Sequence, residues 1–422
     1  MKKYSFLLSS VGLKQSILTI IGNTFGTAFS ALALVLFSRV LGPEKFGEFS
    51  VGFAIVMILT RVNDIGLNTA ILKYATSFEK ISDKNKVYSL TLKLKLYLSL
   101  VIFIFGVFSF NWIGEVLKFQ NPYLILVAFI FGLTTVYYEQ LLSMLQSLHY
   151  FFQAVVINAL QAIAKLAGAL LMVFLGLKSS FFAFSWYVLA PILPVIFAKF
   201  ILPKEVNLKL SINDSQLNSK IWTLAKHSAI GLISAGIIEN VDILFLQKYL
   251  STYETGLFAG VSRIALLFSL AAYSLGNVLY PRVAKYHQKK DIGDFLKKAL
   301  GIVFLSILGF LVLIPFSKFI ILFSIGQQYM AGNSILLILT AASFLAIAAI
   351  PFVATFYSFQ ADWYFSVSGI LQLIVVFVGN IVFVPTFGLE AAAWTRLITR
   401  LLLFVFTSGL SFYLYKRTYA KN

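Results

Sequence analysis

Long apolar runs alternate with short polar stretches along this chain. Runs of roughly 20 mostly apolar residues have the length that crosses a bilayer as a helix, and twelve of them occur. Their limits are 15–38, 46–67, 90–113, 121–143, 152–176, 181–202, 222–247, 255–280, 299–324, 333–357, 363–385 and 388–414. The pattern predicts an all-α polytopic membrane protein. An even number of spans places both termini on the same side of the membrane.

Composition agrees with this interpretation. The chain has 422 residues, of which 59% are hydrophobic and only 12% are charged. Soluble domains are about a quarter charged, and a chain of this length cannot hide so much apolar surface in one core. The composition therefore excludes a soluble enzyme. The absence of cysteine excludes disulfides, thiolate metal sites and a cysteine nucleophile.

The positions of the charges predict the orientation of the chain. The net charge is +18, but the lysines and arginines concentrate in alternate inter-span segments, with 23 on one side and 6 on the other. Cytoplasmic segments carry this excess in membrane proteins. Both termini are therefore predicted to be cytoplasmic. A nucleic-acid partner is disfavoured, because no basic face or aromatic-basic module accompanies the charge.

The chain is predicted to divide into two halves. We expect an N-terminal six-helix bundle over 1–205, a cytoplasmic linker over 206–220 and a C-terminal six-helix bundle over 221–422. An offset of 209 residues aligns Arg39 with Lys248 and predicts a parallel pseudo-repeat. No loop is long enough to form a catalytic domain of ordinary size. Any function is therefore expected inside the membrane bundle or at its mouths.

Cationic side chains in the predicted spans are candidates for ligand contact. A charge near the bilayer centre costs about 2.5–3.5 kcal/mol and normally faces a polar interior. Asn158, Gln161 and Lys165 share one face of span five, and Arg396 and Arg400 share one face of span twelve. Such faces either line a water-filled cavity or join helix to helix by hydrogen bonds. The candidate cations are Arg61, Lys165, Arg263, Arg396 and Arg400, and their excess over intramembrane carboxylates favours an anionic cargo.

Three intramembrane carboxylates are candidates for ion coupling, namely Asp64, Glu239 and Asp242. Glu239 and Asp242 are three apart on one helical face, so their repulsion favours uptake of a proton or Na⁺. The alternative is that Arg263 or a cytoplasmic lysine neutralises one of them. Asp64 either belongs to the polar interior or pairs with Arg61 three residues earlier.

Two further intramembrane acids, Glu139 and Glu390, are expected at the membrane interface. The three histidines are far apart in sequence and lack the spacing of metal ligands. We therefore expect no metal site and no cofactor.

Two stretches resemble a known family. Residues 37–49 read FSRVLGPEKFGEF and are followed by DIGLN over 64–68. The second half contains NVD over 240–242, GLFA over 256–259, and Ser262 before Arg263. These motifs, together with the length and the number of spans, resemble the polysaccharide transporter family, the Wzx-type flippases of O-antigen and capsule biosynthesis. That family belongs to the multidrug/oligosaccharidyl-lipid/polysaccharide exporter superfamily.

The resemblance implies a fold and an activity. The fold would be two six-helix bundles around a V-shaped central cavity in the bacterial cytoplasmic membrane. The activity would be translocation of an undecaprenyl-diphosphate-linked oligosaccharide to the outer leaflet by alternating access, without catalysis. Arg39 and Asp242 match the family pattern, and a polysaccharide polymerase and a chain-length regulator are candidate partners.

Two other functions compete with a flippase. An ion-coupled multidrug or metabolite exporter of the same superfamily would more often have an acidic interior. A membrane glycan polymerase or ligase would usually have a long external loop. The basic balance of the spans and their short external loops favour the flippase.

Overall fold

The structure is a computed structural model that describes residues 11–286, 288–361 and 363–419. Lysines 2, 3 and 421, which contribute to the predicted cytoplasmic charge, lie outside these residues. Every regular element in the described part of the chain is helical. The expectation of an all-α protein is therefore confirmed.

Helices α1 to α8 follow one another up to residue 201. Their bounds are α1 Val11–Asp64, α2 Leu67–Ala70, α3 Ile81–Val116, α4 Pro122–Phe131, α5 Leu133–Ser147, α6 Phe151–Leu175, α7 Ser180–Leu189 and α8 Ile192–Ile201, with a π-helical turn at Ile71–Ala75. Pro122 stands at the first turn of α4, where its missing N–H has no helical partner to lose. The Ser179 hydroxyl begins α7 by accepting a hydrogen bond from the Phe182 N–H at 3.2 Å.

Seven further helices follow. Their bounds are α9 Ser215–Tyr249, α10 Thr252–Val283, α11 Lys289–Leu313, α12 Ser317–Ser324, α13 Asn333–Ser358, α14 Trp363–Phe387 and α15 Leu389–Tyr419, with short 3₁₀ turns at Ile314–Phe316 and Gln327–Gly332. Helix α9 begins within the stretch predicted as a linker. Ser251 and Glu254 form a reciprocal capping box that begins α10.

Helix α1 contains two of the predicted spans. Its continuity breaks at Gly42, whose φ of 73° and ψ of 171° are not helical. Only glycine adopts this conformation without strain, and Pro43 then begins the next helical segment. Eleven helical segments of the described chain are long and apolar enough to cross a membrane, and the first contains this break. The twelve predicted spans are thus accounted for.

Contacts divide the chain into two compact units. Unit 1 comprises the described residues up to Leu41 together with Glu48–Asn240, and unit 2 comprises Gly42–Gly47 and the residues from Val241 onward. The boundary falls within α9 rather than in the loop before it. In unit 1, α5 packs against α6 and α8. In unit 2, α13 is central and packs against α10, α11 and α15.

Candidate functional site

The end of α1 contains a buried charged cluster in unit 1. Lys95 Nζ on α3 lies 3.1 Å from Asp64 Oδ1, and the two side chains are 0% and 3% exposed. The same ammonium group donates to Asn68 Oδ1 at 2.7 Å, and the Asn68 N–H donates to Asp64 Oδ1 at 3.1 Å. Asp64 and Asn68 stand at the two ends of the DIGLN motif. This motif therefore folds around a lysine from another helix.

Lys95 was not among the site residues predicted from the sequence. It is one of the 23 lysines and arginines counted on the predicted cytoplasmic side, and the structure places it within α3 with its side chain completely buried. Asp64 compensates its charge, which is the condition under which a lysine tolerates burial. The prediction missed this residue because it lies near the start of an apolar run, where hydropathy does not show whether a lysine is exposed or buried against another helix.

Arg61 and Asp64 have different partners, so of the two interpretations left open for this pair the ion pair at i, i+3 is wrong. The Arg61 Nη1 atom instead lies 3.3 Å from Glu139 Oε2 on α5. Glu139, expected at the interface, is therefore part of an ion pair between two helices of unit 1. Asp64 is paired with Lys95 on α3. Arg61 and Asp64 of α1 thus each form an ion pair with a different helix.

The predicted polar face of α6 divides into two environments. Asn158 contacts neighbouring helices: its Oδ1 accepts from the Tyr138 hydroxyl at 3.1 Å, and its side chain packs against Gly26. This contact agrees with the helix-joining interpretation. Gln161 and Lys165 are buried, with 5% and 8% of their surface exposed.

Lys165 is held by an aromatic ring. Its Nζ lies 4.3 Å from the centre of the Tyr187 ring, a cation–π contact. Tyr187 in turn packs edge-to-face against Phe37 and Phe49, which open and close the FSRVLGPEKFGEF motif. Lys165 forms no ion pair with a carboxylate among the described residues. Its charge interacts at longer range with Glu139, which is already paired with Arg61.

Unit 2 contains a second buried charged cluster. The Asp242 carboxylate is fully buried and accepts hydrogen bonds from Arg396 Nε and from Asn380 Nδ2, the latter at 2.9 Å. The Arg396 guanidinium also lies over the Phe258 ring, 5.8 Å from its centre. These contacts bring residues 242, 380 and 396 together from three helices. Asp242 is thus neutralised by Arg396, a partner that was not among the alternatives given for the pair of Glu239 and Asp242.

The other predicted residues lie outside these clusters. Arg400 is partly exposed and its Nη1 donates to Gln372 Oε1 at 3.3 Å. Arg263 is partly exposed on α10, and Arg39 and Glu239 are exposed. Ser334 donates to Glu390 at 2.7 Å.

Sequence reasoning missed two partners besides Lys95. Tyr187 and Asn380 lie in apolar runs without a motif around them, so neither residue gave a local signal. Each becomes recognisable only through the cation or carboxylate that it contacts. Among the described residues, no group of three or more His, Asp or Glu side chains is arranged to hold a metal ion.

The fold is that of polytopic membrane transporters. The structure matches an inward-facing multidrug resistance MATE family transporter of the MOP superfamily with a TM-score of 0.76, covering 92% of this chain and 95% of that chain at 15% identity. It matches the lipid II flippase MurJ in an inward closed conformation with a TM-score of 0.73, covering 96% of this chain and 93% of that chain at 15% identity. At these identities the likeness establishes the fold.

The family follows from the sequence itself. The family described as polysaccharide biosynthesis protein matches residues 13–287, and the chain belongs to it. The capsular polysaccharide biosynthesis protein CapF of Staphylococcus aureus is 27% identical over 239 residues. This match covers 53% of this chain and 57% of the relative, so the chain spans little more than half the length of that curated relative. The predicted resemblance to polysaccharide transporters is confirmed.

Proposed function

We propose that this protein translocates an undecaprenyl-diphosphate-linked oligosaccharide, a repeat unit of O-antigen, capsule or a related polymer, across the bacterial cytoplasmic membrane. The match to the polysaccharide biosynthesis family carries the choice of a glycan cargo. The likeness to MATE and MurJ structures supports a transporter fold that works by alternating access. Such a protein performs no covalent chemistry on its cargo.

Among the site residues, Lys165 gives the main support for an anionic cargo. A buried ammonium group whose short-range partner is an aromatic face retains capacity for an anion. The two acid–base pairs of unit 1 differ from it, because their charges are already compensated. Lys165 is therefore the cation of this unit that we assign to the diphosphate group.

Arg396 and Arg400 are the corresponding cations of unit 2. They are four apart on one face of α15 and both are partly exposed. Guanidinium groups bind phosphate oxygens by paired hydrogen bonds. Asp242 holds Arg396 through Nε, so we assign to Asp242 the role of orienting this guanidinium for the cargo. Asn158 is assigned the joining of helices, and secondary contacts with the sugar or the phosphates are assigned to Arg39, Arg61, Gln161 and Arg263.

Ion coupling is assigned to Glu239. Asp64 and Asp242 are buried in ion pairs with Lys95 and Arg396, so their carboxylates are poorly accessible to an ion from outside. Glu239 is exposed on α9 and stands one turn before Asp242. We propose that H⁺ or Na⁺ binding to this carboxylate drives the return step, with both termini of the chain in the cytoplasm. A polysaccharide polymerase and a chain-length regulator would use the translocated product.

The proposal is tested by reconstitution. Proteoliposomes that contain the purified protein and a fluorescent lipid-linked oligosaccharide are treated with an impermeant glycosidase, and the fraction of cargo cleaved is followed with time. We expect the inner-leaflet cargo to become accessible only in vesicles that contain the protein. Vesicles with the protein and a fluorescent phospholipid provide the control for unspecific scrambling. Equal exposure of both lipids, or export of a cationic dye in place of the glycolipid, would contradict the proposed function.

A further inference from the structure

An apolar cleft lies between α14 and α15 in unit 2. Its volume is about 210 Å³, and Leu371 and Val375 on α14 face Leu402 and Leu403 on α15 across it. Leu371 and Leu402 are 46% and 51% exposed, so the cleft opens at the surface of the unit. Sites for drug-sized ligands measure about 300–1,000 Å³. The cleft is therefore large enough for a short stretch of chain and too small for an oligosaccharide.

The few polar groups of the cleft have hydrogen-bond partners within the protein, most of them on their own helices. The Thr399 hydroxyl donates to the Thr395 carbonyl at 2.7 Å, and the Ser368 hydroxyl donates to the Phe365 carbonyl at 3.1 Å. The Gln372 amide donates to the Ser368 carbonyl at 3.2 Å. Burying a sugar hydroxyl here without a partner would cost free energy. The chemistry of the cleft thus fits hydrocarbon.

A cation stands beside this hydrocarbon site. Arg400 directly follows the cleft residue Thr399 and donates to Gln372, which also lines the cleft. Arg396 lies one turn earlier on the same face as Arg400. Along α15, two cations are thus followed by an apolar cleft. A ligand with an anionic head group and a long apolar chain matches this order.

We propose that the cleft between α14 and α15 binds the first part of the polyprenyl chain of the cargo, next to a diphosphate held by Arg396 and Arg400. This inference rests on the proposed function, which supplies the diphosphate and its chain. The cleft fixes the position at which the chain leaves the head group, while the rest of the chain remains in the bilayer. It adds a hydrocarbon subsite to the cationic one.

Photocrosslinking tests the assignment. The full-length protein, with p-benzoylphenylalanine placed at Leu371, is reconstituted in phosphatidylcholine nanodiscs that contain a small fraction of undecaprenyl diphosphate, and adducts are identified by mass spectrometry. The matched control carries the same label at Phe304 on α11, which is 66% exposed. We expect the ratio of polyprenyl to phospholipid adducts to be several-fold higher at position 371 than at position 304. Equal ratios, or phospholipid adducts alone, would overturn the proposal.

A second variant separates this subsite from transport itself. Val375→Phe fills the cleft with a larger apolar side chain, and we expect it to lower the polyprenyl adduct at position 371 several-fold. A labelled protein that translocates glycolipid but shows no enrichment at 371 contradicts the cleft alone. A protein that fails to translocate glycolipid, although it binds the polyprenyl chain at 371, contradicts the proposed function alone.

Discussion

Gly256 approaches Pro43 so closely that a Cβ atom on the glycine would lie 1.7 Å from the Pro43 carbonyl oxygen. Gly47 makes a similar approach to the Thr252 carbonyl oxygen, at 2.0 Å. All four residues belong to unit 2, and the two glycines stand in the two motifs that resemble the polysaccharide transporter family. Backbone oxygens cannot move aside as a side chain does. Gly47 and Gly256 therefore serve the close packing of backbone against backbone.

Gly256→Ala is expected to abolish stable accumulation of the protein, because its methyl group would overlap the Pro43 backbone. Fluorescence-detected size-exclusion chromatography of a tagged protein measures the outcome. Gly409→Ala is the matched control, since a Cβ atom at that helical position meets nothing within 4 Å. The control is expected to accumulate like the wild type. Equal accumulation of the two variants would contradict this packing argument.

Lys95→Ala is expected to lower the free energy of unfolding by about 3–5 kcal/mol, because it leaves the Asp64 carboxylate buried without a counter-charge. The midpoint of thermal unfolding in detergent reports the change. Lys297→Ala removes an exposed partner of Asp294 and is expected to leave the midpoint unchanged. A double variant with Asp64→Leu and Lys95→Met contains neither buried charge. It should therefore recover much of the lost free energy of unfolding. A double variant as unstable as the sum of the single ones would contradict the pairing.

Lys165→Ala is expected to abolish surface polysaccharide at an unchanged protein level, because the diphosphate loses its buried cation. Lys165→Arg keeps the charge and should restore part of the export. Lys290→Ala, which removes an exposed lysine at the start of α11, is the matched control and should export like the wild type. Immunoblots of surface polysaccharide and of the tagged protein provide the two measurements. Full export by Lys165→Ala would remove this residue from the cargo site.

Asp242→Asn is expected to reduce transport about tenfold or more, because the carboxylate that holds the Arg396 guanidinium loses its charge and a charged hydrogen bond of about 1.5–3 kcal/mol. The reduction should be the same with and without an imposed pH or sodium gradient. Glu239→Gln should instead transport at the rate that the wild type shows without a gradient. Glycosidase accessibility in proteoliposomes measures both. A wild-type response to the gradient in Glu239→Gln would contradict the coupling role.

The sequence alone determined the helices that cross the membrane. A bilayer requires about 20 consecutive apolar residues in each helix, and this requirement is local in the chain. The interruption between the first two spans was also predicted, over 39–45, and the structure places it at Gly42, where glycine followed by proline breaks a helix through backbone sterics. The family followed from short motifs whose spacing is equally local.

Only the tertiary structure decided which charges meet. Asp242 and Arg396 are 154 residues apart, and Lys95 reaches Asp64 from a different helix. Helical periodicity places a side chain on a face, but the partner of that face depends on how the helices pack. The sequence therefore showed no sign of the partner of Lys95, and Arg61 had two open interpretations, until packing brought each beside an opposite charge. The cost of burying an uncompensated charge is the physical reason that these partners exist, and it acts only between residues that the fold has already brought together.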